Sequence, residues 1–167
     1  MHIFLTGFMG VGKTTIGLQL SELLELNFID LDQEIINQTG LSISEIFNNN
    51  GEDYFRVIEK DVLNKLNLQS ESSIIALGGG TICDHENRKL ILQSNICIYL
   101  YKPWEEIEKN LPKLKNRPLI DKNSPSKLRV LYNKRQSTYE LSQLKMPVNT
   151  VFEPQKLANY LKLLTNR

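Results

Sequence analysis

The chain has 167 residues, and its 20 Lys and Arg against 19 Asp and Glu leave a formal net charge of +1. That length suits one domain burying roughly two-thirds of its unfolded surface, and so balanced a charge provides no global field for nucleic acid or an anionic membrane. Cys83 and Cys97 lack metal-ligand spacing, no apolar stretch approaches about eighteen residues, and Met1 runs almost at once into an apolar stretch, so a leaderless, cytoplasmic protein with reduced thiols is expected.

In chain order, the short apolar run 3–5 reads as a strand, followed at once by Gly7-Phe8-Met9-Gly10-Val11-Gly12-Lys13-Thr14. This octapeptide fills every fixed position of the phosphate-binding loop G-x-x-x-x-G-K-[ST]. Its glycines let backbone N–H groups turn inward around a β-phosphate, Lys13 can reach the β/γ oxygens, and the Thr14 hydroxyl is suited to ligate Mg²⁺. A helix is predicted over 14–25 from Ile16, Leu20, Leu23 and Leu24, and its N-terminus adds partial positive charge toward the phosphates. Gly7, Gly10, Val11, Gly12, Lys13, Thr14 and Thr15 are therefore the candidate nucleotide contacts.

A second strand over 28–31 leads into Asp30-Leu31-Asp32. Strand alternation would put both carboxylates on one side, where one could support a metal and the other orient an acceptor hydroxyl. Alternatively, Asp32 is the N-cap of a helix over 33–38. Further helices are predicted over 42–47, opened by a Ser42/Glu45 capping box, and over 53–68, after a break at Gly51. The segment of about 32–68 exceeds what one crossover needs and reads as an acceptor-binding insert. In it, Phe55-Arg56-x-x-Glu59 places Arg56 and Glu59 one helical turn apart, either as a weak solvated pair or as a buried pair that preorganises the guanidinium.

The third strand, 74–77, ends in Gly78-Gly79-Gly80 with no aspartate, so a Walker B carboxylate is missing and Asp30 becomes the acid expected near the metal. The glycines suit close approach of a small polar substrate or, alternatively, a hairpin turn, although a helix over 85–93 follows. After a fourth strand at 96–100, the stretch 111–127 is punctuated by Pro112, Pro118 and Pro125. Nine cations against the single Asp121 occupy 109–135. This is either a solvated loop or a lid, about 111–125, that closes on polyphosphate. A weak fifth strand is predicted at 146–151. Short buried strands alternating with helices indicate an α/β fold with a parallel sheet and functional residues at the strands' carboxyl ends.

Taken together, the phosphate loop, Asp30-x-Asp32, Ile46-Phe47, Gly51-Glu52, Phe55-Arg56-x-x-Glu59, Gly78-Gly79-Gly80, Arg117-Pro118-Leu119 and Lys134-Arg135 closely resemble shikimate kinase from end to end. The resemblance implies a three-layer α/β/α sandwich with a central parallel five-stranded sheet, like the P-loop nucleoside monophosphate kinases, in one kinase domain spanning 1–167. It implies transfer of the ATP γ-phosphoryl to the 3-hydroxyl of shikimate, a step toward the aromatic amino acids, with one Mg²⁺ and by a monomer. By position, Asp32 would act as general base, and Arg56, Arg135 and the amides of Gly78, Gly79 and Gly80 would hold shikimate in a pocket lined by Phe47 and Phe55. Arg117 would clamp the transferring phosphoryl and contact ATP, Thr14 would ligate Mg²⁺, and Asp30 would support it through water. Many relatives place an arginine near the adenine after the last strand; this chain has Val151-Phe152-Glu153-Pro154.

Rival readings are weaker, including a catalytically idle sensor derived from such a kinase, since no expected catalytic residue is missing. Asn133-Lys134-Arg135-Gln136 superficially matches a GTPase N-K-x-D motif, but Gln136 cannot replace the guanine-reading carboxylate. A nucleoside monophosphate kinase would need a larger aromatic-lined acceptor site. Gluconate kinase, another P-loop small-molecule kinase, remains the alternative.

Overall fold

The five apolar runs form one parallel sheet with the order β2-β3-β1-β4-β5 in the computed structural model, which describes residues 1–93, 95–114, 118–121, 123–149 and 151–165. The strands are β1 (Ile3–Thr6), β2 (Asn27–Asp30), β3 (Ser73–Ala76), β4 (Ile96–Tyr101) and β5 (Leu144–Pro147). All residues of β1 and β3 are buried, as a parallel sheet covered on both faces requires.

Two apolar layers follow from the period of two along each strand. Phe4 and Ile75 face a core shared with helices α2 (Leu31–Thr39), α3 (Ile43–Asn49), α4 (Gly51–Asn67), α5 (His85–Gln93), α6 (Trp104–Asn110) and α8 (Pro125–Tyr139). Their neighbours Leu5 and Ile74 face the opposite core, closed by α1 (Lys13–Leu24) and α9 (Pro154–Thr165). The expected three-layer α/β/α architecture is present, and a one-turn helix, α7 (Pro118–Asp121), lies within the predicted lid.

The helical insert is α2, α3 and α4. Ser42 and Glu45 make both reciprocal bonds of a capping box, and Gly51 opens α4 at φ 85°.

Two expectations are corrected. Strand β2 stops at Asp30, which takes an extended conformation and accepts the Asp32 backbone N–H; Asp30 is therefore the N-cap, Asp32 lies in the first helical turn, and strand alternation does not relate them. Burying Leu31 completely rewards the early helical start. Strand β5 lies two residues earlier than predicted and ends sooner. Val148 donates its N–H to Tyr101, after which Asn149 accepts from Phe152 and Val151, so Val151 lies in a turn and not in the strand.

Candidate active site

The carboxyl ends of β1, β2 and β3 lie side by side and release three loops toward one edge of the sheet. From β1 comes the phosphate loop, with Gly7, Gly10 and Gly12 all at positive φ. Its variable positions anchor it. Phe8 packs edge-on against Tyr132, with ring centroids 5.5 Å apart, while Val11 is buried in the opposite core. Lys13 opens α1 and its Nζ donates to the carbonyls of Gly7, at 2.8 Å, and Phe8, at 3.1 Å, which holds the ammonium over the loop.

From β2 come the two carboxylates with separate tasks. Asp30 Oδ2 accepts a 2.8 Å hydrogen bond from the Thr14 hydroxyl, and its Oδ1 caps α2 through the Asp32 N–H. Asp30 thereby ties the phosphate loop's helix to the start of the insert. Asp32 faces Gly78: a Cβ on that glycine would stand 3.2 Å from Asp32 Oδ1 and 3.1 Å from Glu59 Oε1.

From β3 comes the glycine run, which continues into a 3₁₀ turn at Thr81–Cys83 and then α5, so it is not a hairpin. Two arginines from distant helices meet here. A Cβ on Gly80 would lie 2.9 Å from Arg56 Nη2 on α4 and 3.1 Å from Arg135 Nη2 on α8, so any larger residue would push the guanidiniums aside. Arg135 Nη1 donates to the Gly79 carbonyl at 3.2 Å, and the fully buried Tyr139 hydroxyl donates to the same oxygen.

Arg56 and Glu59 form the buried version of their pair. Glu59 is only 1% exposed; its Oε2 accepts from Arg56 Nη1 at 2.7 Å and its Oε1 from the Thr81 hydroxyl at 2.6 Å. Burial pushes the Glu59 carboxyl above its ordinary value against the pull of Arg56 and Thr81, and the negative charge of Asp32 adds to the rise. For Arg56, burial opposes the charge, but Glu59 and the exposed Glu52 outweigh it and hold the guanidinium firmly protonated. One face of Arg56 also lies over the Phe55 ring, 5.2 Å from its centroid.

These parts enclose two cavities. The larger is lined by Met9, Gly10 and Gly12 to Thr15 of the phosphate loop, Asp30, and Asn110, Lys113 and Leu114 at the base of the predicted lid. The smaller is lined by Phe47, Phe55, Arg56, Glu59, Gly80 and Arg135, with Leu119 of α7 and Ile43 of α3. Met9, Asp32, Gly78 and Gly79 line both. The arrangement suits in-line transfer from a polyphosphate in one cavity to a small anion in the other, with a carboxylate at the boundary.

Residues 9–164 match the family model for shikimate kinase. The chain belongs to the shikimate kinase family. It is 34% identical over 161 residues to the shikimate kinase of Bacillus subtilis, covering 96% of this chain and 86% of that one. It is also 41% identical over 139 residues to a bifunctional shikimate kinase/3-dehydroquinate synthase of Thermotoga maritima, covering 83% of this chain and only 27% of that protein. Among solved structures, a shikimate kinase from Acinetobacter baumannii in complex with shikimate superposes with a TM-score of 0.88 at 39% identity, covering 99% of this chain and 93% of that one.

Within this family member the structure brings together Lys13, Thr14, Asp30, Asp32, Phe47, Phe55, Arg56, Gly78, Gly79, Gly80 and Arg135 around the paired cavities. Arg117 lies outside the described residues. Sequence reasoning did not single out Met9, Ile43, Leu119, Thr81 or Tyr139 for the site. Met9 occupies a free position of the loop motif, Thr81 follows the glycine run directly, and Ile43, Leu119 and Tyr139 reach the site through packing of separate helices.

Proposed function

We propose that the chain transfers the γ-phosphoryl of ATP to the 3-hydroxyl of shikimate, as a monomer in the cytoplasm, with Asp32 receiving the hydroxyl proton. The observation that carries the assignment of roles is that Asp32 lines both cavities at once. In this reading the phosphate loop and Lys13 bind the triphosphate, and Arg56 and Arg135, which meet where a side chain on Gly80 would stand, take the shikimate carboxylate as a paired guanidinium site. The tilted rings of Phe47 and Phe55, 4.8 Å between centroids, form the apolar wall for the ring carbons. Amides of the Gly78 to Gly80 run serve the ring hydroxyls. Arg117, with the lid, would neutralise charge on the moving phosphoryl.

The donor set suits Mg²⁺. The Thr14 hydroxyl and Asp30 carboxylate present hard oxygens at the phosphate cleft, and among the described residues no group of three His, Cys, Asp or Glu forms a complete protein cage. Thr14, as direct ligand, and Asp30, through water, would hold such an ion beside the phosphates. When bound, it neutralises the β and γ oxygens.

The test is ADP release by purified protein with Mg²⁺ and ATP, comparing shikimate with gluconate and nucleoside monophosphates. Turnover with shikimate alone supports the reading; a folded, ATP-binding protein that ignores shikimate would sink it. A second expectation concerns Gly80→Ala. Because the added methyl meets only the ends of two flexible arginines, stability should change little, while both guanidiniums are displaced. The KM for shikimate should rise by about ten- to a hundredfold with the KM for ATP unchanged, measured by initial rates, since each of two charge-assisted contacts weakens.

A further inference from the structure

Thr81 lies outside the cavity linings described above, yet it holds the other oxygen of the carboxylate that fixes Arg56. We infer that Thr81 is a positioning residue for substrate affinity: its buried hydroxyl orients Glu59 so that Glu59 presents Arg56 to the acceptor's carboxylate. The inference rests on the shikimate kinase reading of this site.

The geometry forms a relay. Thr81 is completely buried, and its place is set independently by its own N–H donating to Gly78 O at 3.2 Å and by the buried Asn87 amide donating to its carbonyl at 3.2 Å. The hydroxyl then has one purpose in the described contacts, the 2.6 Å bond to Glu59 Oε1. Glu59 in turn uses Oε2 for Arg56. A carboxylate with one oxygen so fixed cannot rotate away from the guanidinium. The hydrogen bonds of the relay, from Thr81 to Glu59 and from Arg56 to Glu59, lie on the acceptor side, so the relay acts on acceptor binding.

The relay also makes a pH signature. Glu59 feels Asp32 of α2, Arg56 of α4 and Cys83 of the 3₁₀ turn; Arg56 in turn pairs with Glu52, and Cys83 lies in the field of Arg135 of α8 and Arg88 of α5. Burial and Asp32 favour the protonated acid, whereas Arg56 and the Thr81 hydroxyl favour the carboxylate. Removing the hydroxyl therefore lets Glu59 take a proton at higher pH. The charged fork exists above that titration and is lost as pH falls through it, so the defect must deepen toward acid.

Initial rates at saturating ATP and varied shikimate, from pH 6 to 8, test this in the full chain. Thr81→Val should raise the KM for shikimate about tenfold near neutral pH, the scale of one lost hydrogen bond to a charged group, with kcat within about threefold and the KM for ATP unchanged. The increase should grow toward pH 6, and Thr81→Ser should restore the parent's values. In a Glu59→Gln background Thr81→Val should add less than about twofold, because the two act through one contact. If the valine protein does not fold, Thr81→Cys keeps the volume with a weaker donor and should show the same split in milder form. Parent-like KM and pH profile in Thr81→Val, or in Thr81→Cys where that stands in, or an undiminished penalty beside Glu59→Gln, overturns the inference. A parent protein with no shikimate turnover overturns the functional reading instead, and this inference with it.

Discussion

Replacing Asp32 by Asn is expected to lower kcat by about 10²–10⁴-fold, the usual contribution of a positioned acid or base, while ATP affinity stays within about twofold. The amide keeps the size and leaves the backbone N–H that Asp30 caps, so α2 should start normally. It cannot receive a proton from the acceptor hydroxyl. Asp32 also sits beside Glu59, and removing its charge relieves repulsion there, so shikimate binding should hold or tighten slightly. Stopped-time ADP release together with ATP titration by calorimetry checks both halves. An Asn protein turning over within tenfold of the parent would remove Asp32 from the chemistry and leave phosphoryl transfer to positioning and charge.

Gly7→Ala should produce the largest loss of stability. Gly7 has φ 140°, and a Cβ there would approach the Leu100 carbonyl oxygen more closely than the 3.0 Å that real Cβ atoms keep. That oxygen belongs to the buried backbone of β4, which pairs along β1 from Ile3↔Ile96 to Thr6↔Tyr99, so relief requires prising the two strands apart. Backbone strain of about 1–3 kcal/mol and overpacking of about 1–3 kcal/mol add to roughly 4 kcal/mol, a large share of a typical domain's stability. For a chain of this size the melting temperature should fall by about 8–16 °C. Gly40→Ala is the control, since Gly40 has φ 69° but nothing within 4 Å of an added Cβ. It should cost only about 1 kcal/mol and a few degrees. Equal losses for the two, read by calorimetry, would show that strain at φ alone governs Gly7 and that Leu100 is no barrier.

The donor half of the site was legible in the chain because its chemistry is local. Gly7 to Thr14 is one continuous loop whose spacing dictates how amides, ammonium and hydroxyl converge, and the capping box at Ser42 was equally readable because its partners are three residues apart. The acceptor half was legible as a list of residues, through their collective resemblance to a family, but not as an arrangement. Whether Arg56 and Glu59 were a solvated or a buried pair could not follow from their spacing; the answer came from the 3₁₀ turn, whose Thr81 hydroxyl meets the buried Glu59. Likewise, the sequence pointed to Asp32 as the cap of the second helix, and Asp30 became the cap because Leu31 is drawn into the core.

What the sequence determined by itself was the phosphate loop, the α/β alternation of strands and helices, and the identity of the charged groups, since each is written in contiguous spacing or in the two- and three-to-four-residue periods of the backbone. Only the tertiary structure decided that Arg56 and Arg135, from helices far apart in the chain, meet where a side chain on Gly80 would stand, and that Thr81 holds the other oxygen of Glu59. Those contacts join residues separated by tens of positions, and no local period encodes them: they exist because the strand order sets β1 between β3 and β4 and so brings the ends of β1, β2 and β3 to one edge.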